Sequence, residues 1–286
     1  MKWREMRKSD NVEDVRGQRR VSGPAAAGGL GLGAIVIALL LSVLTGSDPT
    51  EVLNQLGGGQ AGPAPQGQVE QAPIDDEDSQ FVRAVLGDTE DVWKQIFQQK
   101  VGQAYPPPKL VLFSGAVQSA CGTADTNAGP FYCPVDQKVY LDMAFFSQIR
   151  ATAGDNADFA RAYAISHEVG HHIQHTLGLL TQVRERQQQV DKESANALQV
   201  RVELQADCLS GVWGHYTAKR GWIDRKDLES AMATAAQIGD DYLQKQSRGV
   251  VVPESFTHGS SKQRVEWYTN GLRTGDINAC NTFAAQ

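Results

Sequence analysis

Ala164-Ile165-Ser166-His167-Glu168-Val169-Gly170-His171-His172-Ile173-Gln174-His175 is the stretch on which the reading of this chain turns. Residues four apart on an α-helix share a face. His167 and His171 therefore present two imidazoles to one side, with Glu168 beside the first. Two such imidazoles suit one zinc ion, and the neighbouring glutamate can reach a water on that ion. The apolar periodicity through Phe159, Ala162, Tyr163, Val169 and Ile173 predicts a helix from about Asp155 or Asn156, either of which can cap it, to about Leu177. Gly170 is costly inside a helix, and its presence points to a close approach by another helix.

A catalytic zinc site usually takes three protein ligands and keeps one position open. His172 lies about 100° around the helix from His171, and His175 lies two turns from His167, so neither completes the set. The metzincin spacing requires a glycine and a histidine where this chain has Gln174 and Leu177, which excludes that class. A second helix is expected over residues 197–217, opened by a capping-box pattern at Asn196 and Gln199. It carries Glu203 and Asp207 one turn apart in apolar surroundings, where inward-facing acids need partners. Glu203 is the candidate third ligand, and Asp207 the acceptor that holds the second ring nitrogen of His167. This Glu-x-x-x-Asp pattern after the histidine helix is that of gluzincins.

The constellation points to one Zn2+ per chain and to hydrolysis of peptide bonds, with Glu168 taking the proton of the attacking water and passing it to the leaving nitrogen. The expected partner is a protein or peptide substrate. His258, in Thr257-His258-Gly259-Ser260 just ahead of a helix, is the candidate donor to the oxyanion. Tyr216, His215 and Tyr132 are weaker candidates.

The rest of the chain suggests an α+β fold, mainly helical and zincin-like with a small sheet. Helical spacing runs from Phe81 to Phe97 with a break near Gly87-Asp88, and Tyr105-Pro106-Pro107-Pro108 ends it. Residues 109–113 and 138–142 read as strands, the second a candidate cleft edge for an extended peptide. Residues 181–196 read as a polar, exposed run. A helix after Asp224 carries Leu228, Met232, Ala235, Ile238 and Leu243 on one broad face. Ser260 and Gln263 form a capping-box pattern for a last helix that Gly271 is placed to end. Four cysteines allow three complete pairings. A local pair, Cys121 with Cys133, leaves Cys208 with Cys280, and free thiols are the alternative.

The N-terminus reads differently. Residues 1–20 hold seven basic and four acidic side chains, and residues 25–44 form an apolar run in which Ser42 is the polar member. Twenty such residues span a bilayer as a helix, and the basic flank stays inside. The expected division is a basic cytoplasmic tail at 1–24, a transmembrane anchor at 25–45, a Gly/Gln/Pro linker at 46–77 and the hydrolase domain at 78–286. That places a single-pass protein in the inner membrane, its C-terminal domain extracytoplasmic. The formal charge is −6 for the whole chain, so the part after residue 20 is strongly acidic and repels nucleic acid.

The chain resembles the bacterial neutral zinc metallopeptidase family. The likeness rests on Phe131-Tyr132-Cys133-Pro134 with Val139-Tyr140-Leu141-Asp142, on Ser166 to Gln174, on Glu203-Leu204-Gln205-Ala206-Asp207-Cys208 with Gly211-Val212-Trp213, and on Phe256 to Ser261 with Gln263-Arg264. It implies a membrane-anchored, zincin-like hydrolase with zinc on His167, His171 and Glu203 and Glu168 as base. The competing function is a catalytically silent zincin-like module that binds or scaffolds in the cell envelope. The intact Glu168 argues against it, since a binding module needs no base.

Overall fold

Carboxylates at a helix start accept from its unpaired N–H groups. In the computed structural model, which describes residues 1–16, 76–125, 129–144, 146–147, 149 and 157–284, Asp76 accepts from the Ser79 N–H at 2.7 Å and caps α1, Glu77–Ile96. The helix runs unbroken through Gly87 and Asp88, where the sequence suggests a break. Both residues serve tertiary contacts instead. A Cβ on Gly87 would lie 2.5 Å from the Arg7 carbonyl oxygen. Asp88 is buried and accepts from Trp213 Nε1 at 2.8 Å and from Thr217 Oγ1 at 2.7 Å. A π-turn over Phe97–Val101 and Gly102 in the left-handed conformation close the helix ahead of the prolines.

Strands β1 (Val12–Asp14), β2 (Lys109–Phe113), β5 (Phe131–Cys133) and β6 (Lys138–Asp142) form one sheet in the order β1-β2-β6-β5. The first three in that order are parallel, and β5 runs antiparallel to β6. Strand alternation sends Leu110, Leu112, Val139 and Leu141 into the main core, and Val111, Phe113 and Tyr140 into a smaller cluster on the other face. A hairpin of β3 (Ala116–Ser119) and β4 (Gly122–Asp125) leads through Cys121, which is disulfide-bonded to Cys133 on β5. Strand β6 is flanked on both sides, so it is not the cleft edge expected at 138–142. Among the described residues that edge belongs to β5.

The first sixteen residues correct the expected membrane topology. They pack into the same body as residues 76–284. Trp3 is buried and donates to Asp158 Oδ2 at 3.1 Å; the Met1 amino group meets Asp227 at 2.9 Å; Ser9 and Asn11 donate to Glu90. β1 pairs in register with β2, Val12 against Leu110 and Asp14 against Leu112. A chain that crosses a bilayer once between residues 16 and 76 would leave these partners on opposite faces. A cytoplasmic tail with an extracytoplasmic domain is therefore excluded. The basic residues that suggest a cytoplasmic flank are used within the fold: Arg4 pairs with Glu77, Arg7 with Glu90 and Asp91, and Arg16 with Asp14 and Asp76. Among the described residues no helix is long and apolar enough to cross a membrane. The span expected at 25–45 lies outside them, as does nearly all of the linker at 46–77. The single-pass anchor, the membrane as a partner and the inner-membrane localisation are corrected accordingly.

Among the described residues, helical turns at 143–144, 146–147 and 149 follow the sheet, and then come α2 (Ala157–Thr176), α3 (Leu179–Gln187), α4 (Lys192–Lys219), α5 (Arg225–Gln237), α6 (Asp240–Arg248) and α7 (Ser261–Thr274). The polar run at 181–196 is mostly helical. α3 buries Val183, and α4 begins at Lys192 because Asp191 caps it by accepting from the Ser194 N–H. The Asn196 side chain donates to the Glu254 carbonyl instead of capping. The long face expected from Leu228 to Leu243 is divided at Gly239, where a Cβ would lie 2.3 Å from the Ser261 nitrogen. Ser260 and Gln263 form the capping box of α7. Gly271 does not end that helix; Gly275, with φ 61°, does. Gly271 instead faces α4, as Gly211 faces α7, and these two positions let the backbones touch. The Cys208–Cys280 disulfide ties the C-terminal tail to α4. Among the described residues the result is a mainly helical α+β domain with two small sheets, an architecture that fits a zincin-like fold.

A Cβ on Gly271 would lie 1.9 Å from the Cys208 carbonyl oxygen. Backbone cannot yield as a flexible side chain does, so Gly271→Ala is expected to lower stability by about 3 kcal/mol. Denaturant unfolding of the oxidised variant beside wild type checks this, and equal midpoints would contradict the packing.

Candidate metal centre

The site forms where α2 crosses α4. A Cβ on Gly170 would stand 3.0 Å from the Ala206 carbonyl oxygen, so α4 lies directly against the turn of α2 that carries the histidines. Ser166 and Ser210 hydrogen-bond across the same crossing. His167 and His171 project from one face of α2, Glu203 and Asp207 from one face of α4, and all four are largely buried.

Glu203 Oε2 lies 3.1 Å from His167 Nε2 and 3.4 Å from His171 Nε2. One ligand atom from each of the three residues falls within 4.8 Å of the others. Three donors at about 2.0–2.1 Å from one ion in tetrahedral array stand about 3.4 Å apart. The spacing and the donor set, two imidazole nitrogens and a carboxylate oxygen, thus fit a single metal ion.

The atoms pointing away from that centre are held as well. His167 Nδ1 is 2.9 Å from Asp207 Oδ1, and His171 Nδ1 is 2.9 Å from Gln174 Oε1. With both Nδ1 atoms bonded outward, both Nε2 atoms face the centre, and the neutral rings present their lone pairs to a metal there. Gln199 Nε2 donates to Glu203 Oε1 at 2.9 Å, which turns Oε2 inward. Gln174 is itself fixed, donating to the Val202 carbonyl at 2.8 Å and to Gln205 Oε1 at 3.0 Å, and Gln205 donates to the Cys280 carbonyl.

Asp207 carries more than His167. Arg264, on α7, reaches it with Nε at 2.8 Å and Nη2 at 2.9 Å, and the Tyr163 hydroxyl donates to it too. Burial would raise its pKa, but Arg264 and His167 hold it down to about 2. Burial would lower the pKa of His167, but Asp207 and Glu203 carry it up to about 10. The two carboxylates make this pocket strongly favour positive charge. Glu203, against the effect of burial, is kept well below the usual carboxylate range by the two histidines.

The centre opens into a cleft of about 700 Å3. Glu168, 8 % exposed, lines it beside His167. One wall is β5 with Phe131 and Tyr132, and another is α3. His258 stands on the rim, half-exposed. Asp240 accepts the backbone N–H groups of Thr257, His258 and Gly259 and approaches His258 Nδ1 at 3.3 Å, so the loop is fixed and Nε2 is left without a partner among the described residues. Tyr132 also lines the cleft, but its hydroxyl is engaged with His172 Nδ1 at 3.1 Å. His172 Nε2 bonds the Pro106 carbonyl at 2.6 Å, and burial pushes its pKa down to about 4. It joins α2 to the sheet side and is not directed at the centre. His215 bonds the Leu272 carbonyl and packs on Gly275, and neither it nor Tyr216 lines the cleft.

Gln174, Gln199, Tyr163 and Arg264 are supporting residues to which the sequence assigns no part in the site. Gln174 is three residues after one ligand and Gln199 four before another, so helical spacing carries a signal for both. Tyr163 and Arg264 reach Asp207 from separate helices, and local spacing carries none.

The family model described as "Putative neutral zinc metallopeptidase" matches residues 1–283. The Escherichia coli (strain K12) protein YpfJ is 44 % identical over 287 residues, covering 99 % of each chain. The Mycobacterium tuberculosis (strain ATCC 25618 / H37Rv) protein Rv2575 is 41 % identical over 205 residues, 68 % of this chain and 67 % of its own. No solved structure matches the chain.

Two outcomes follow from the supporting bonds. Gln199→Ala releases Glu203 Oε1 and is expected to weaken binding of a divalent metal about tenfold, measured by competition with a chromogenic chelator; unchanged affinity would contradict the role. Asp207→Ala leaves Arg264 buried and unpaired and should cost about 3–5 kcal/mol, read from denaturant midpoints.

Proposed function

The chain belongs to the neutral zinc metallopeptidase family and is a zinc-dependent endopeptidase of the gluzincin type; from that premise we propose that one zinc ion per chain is held by His167, His171 and Glu203, with Glu168 as general base. The observation that carries this reading is the convergence of His167 Nε2 and His171 Nε2 on Glu203 Oε2, at 3.1 and 3.4 Å. All four cysteines are in disulfides, so thiolate is not among the donors at hand. Zinc, when bound, supplies a Lewis acid that lowers the pKa of a water and polarises the scissile carbonyl.

The chain's own residues do the rest. The Glu168 carboxylate, in the cleft wall one residue from His167, accepts a proton from the attacking water and returns it to the leaving amide nitrogen. Asp207 fixes the His167 ring and is kept ionised by Arg264, so it holds the imidazole without taking its proton. His258 is the best-placed donor to the developing oxyanion, because its Nε2 has no partner among the described residues and Asp240 anchors its loop. Tyr132 is less suited, since its hydroxyl already serves His172. An extended substrate adds to the outer edge of β5 by main-chain hydrogen bonds.

Glu168→Gln keeps the shape and removes the base. It is expected to lower kcat on a cleaved peptide about a thousandfold while zinc content stays at the wild-type level. Wild-type activity in this variant, or loss of zinc with it, would contradict the assignment. Chelation should abolish wild-type cleavage, and added zinc should restore it.

A further inference from the structure

Helix α3 presents one face to the catalytic cleft. Leu180, Val183, Arg184 and Gln187 are spaced three, four and seven residues apart from the first, and all four line the cavity with His171 and Glu203. Val183 is buried and Leu180 half-buried, so the apolar part of this wall packs on the body. Gln187 donates to the Ala195 carbonyl at 3.1 Å and to Gln199 Oε1 at 3.3 Å, which fixes the face against α4.

Arg184 is the exception on this wall. It is exposed to the cleft and has no ion pair or side-chain hydrogen bond among the described residues. Of the other basic side chains of the cleft, Arg264 is paired with Asp207, and His258 is tied to Asp240 through Nδ1, its Nε2 being the group assigned above to the oxyanion. The remaining charges of α3, Glu185 and Arg186, lie off the cleft face. A cation in the last turn of a helix is favoured by its dipole, but Arg186 meets that preference on the solvent side, and it does not account for a guanidinium turned to the cleft. In a chain of net charge −6, an uncommitted cation beside the catalytic centre stands against the average field. A guanidinium on the same wall as Leu180 and Val183 matches a carboxylate at the end of an apolar stem, since its donors pair both oxygens and the stem meets the aliphatic wall.

We infer that Arg184 is a specificity-determining residue of the peptidase, and that the subsite under α3 takes a substrate carboxylate. This rests on the endopeptidase reading above. The carboxylate is that of an aspartate or glutamate side chain, or a peptide C-terminus, and both are met by the same guanidinium.

The test uses the full zinc-loaded protein and a set of quenched peptides in which each position in turn is Glu, Gln or Lys, with free and amidated C-termini. The expected result is one position on one side of the cut where Glu exceeds Gln in kcat/KM by about tenfold and Lys falls below it. Arg184→Glu should reverse that order at the same position only, and Arg184→Lys should retain it. The effect should fall in KM more than in kcat and weaken with salt. Preference that survives amidation assigns the carboxylate to a side chain; preference lost on amidation assigns it to the terminus. Chelator-sensitive cleavage that ignores charge at every position, or a preference unchanged in Arg184→Glu, would overturn the inference and leave the peptidase intact. No chelator-sensitive cleavage of any peptide would overturn the peptidase reading, and this inference with it.

Discussion

Two carboxylates buried one helical turn apart are the constraint on which the rest of this structure depends. Asp207 and Glu203 sit on the inner face of α4, away from water, where an uncompensated charge is untenable. Each is answered differently. Asp207 is met by Arg264, Tyr163 and His167, a closed set that satisfies it within the protein. Glu203 is met by two imidazoles and one glutamine amide, and its inward oxygen is aimed at a point shared with both imidazole Nε2 atoms. The first carboxylate is structural, and the second shares with both imidazoles a point where one metal ion fits.

The scaffold holds these groups by bringing backbones together. Glycine at 170, 211 and 271 removes the side chains that would separate α2, α4 and α7, and the ligands and Arg264 emerge next to those contacts. The disulfide from Cys208 to Cys280 brings the tail over α4, and the Cys280 carbonyl then accepts from Gln205, the partner of Gln174. A chain of amides thus runs from a fixed covalent link to the His171 ring. The N-terminal segment braces the opposite side: β1 completes the sheet, and the sheet carries β5 to the cleft.

Much of the centre is legible from spacing alone, because His167 with His171 and Glu203 with Asp207 each lie one turn apart on a single helix. What spacing cannot reach lies between elements. Arg264 is 57 residues from Asp207, and nothing in its helix marks that arginine as the one with a buried partner. Gly87 and Gly271 read as breaks because local propensity registers only the cost of glycine; the compensating contacts, to Arg7 and Cys208, are tertiary. Asp191 outcompetes Asn196 as a cap because the helix gains a turn against α3. The basic N-terminus reads as a membrane flank because its acidic partners, Glu77, Glu90 and Asp91, lie more than seventy residues away on α1. Local composition and long-range pairing gave opposite answers there, and the β1–β2 pairing decides between them.

The proposed mechanism requires one zinc ion between two imidazoles and a carboxylate. X-ray absorption at the zinc edge on the purified, oxidised full-length protein tests it most directly. The expected spectrum has a first shell of nitrogen and oxygen at about 2.0–2.1 Å, with outer-shell scattering from two imidazoles and no sulfur. Scattering from a single imidazole, from sulfur at about 2.3 Å, or the absence of retained zinc in folded protein would contradict it.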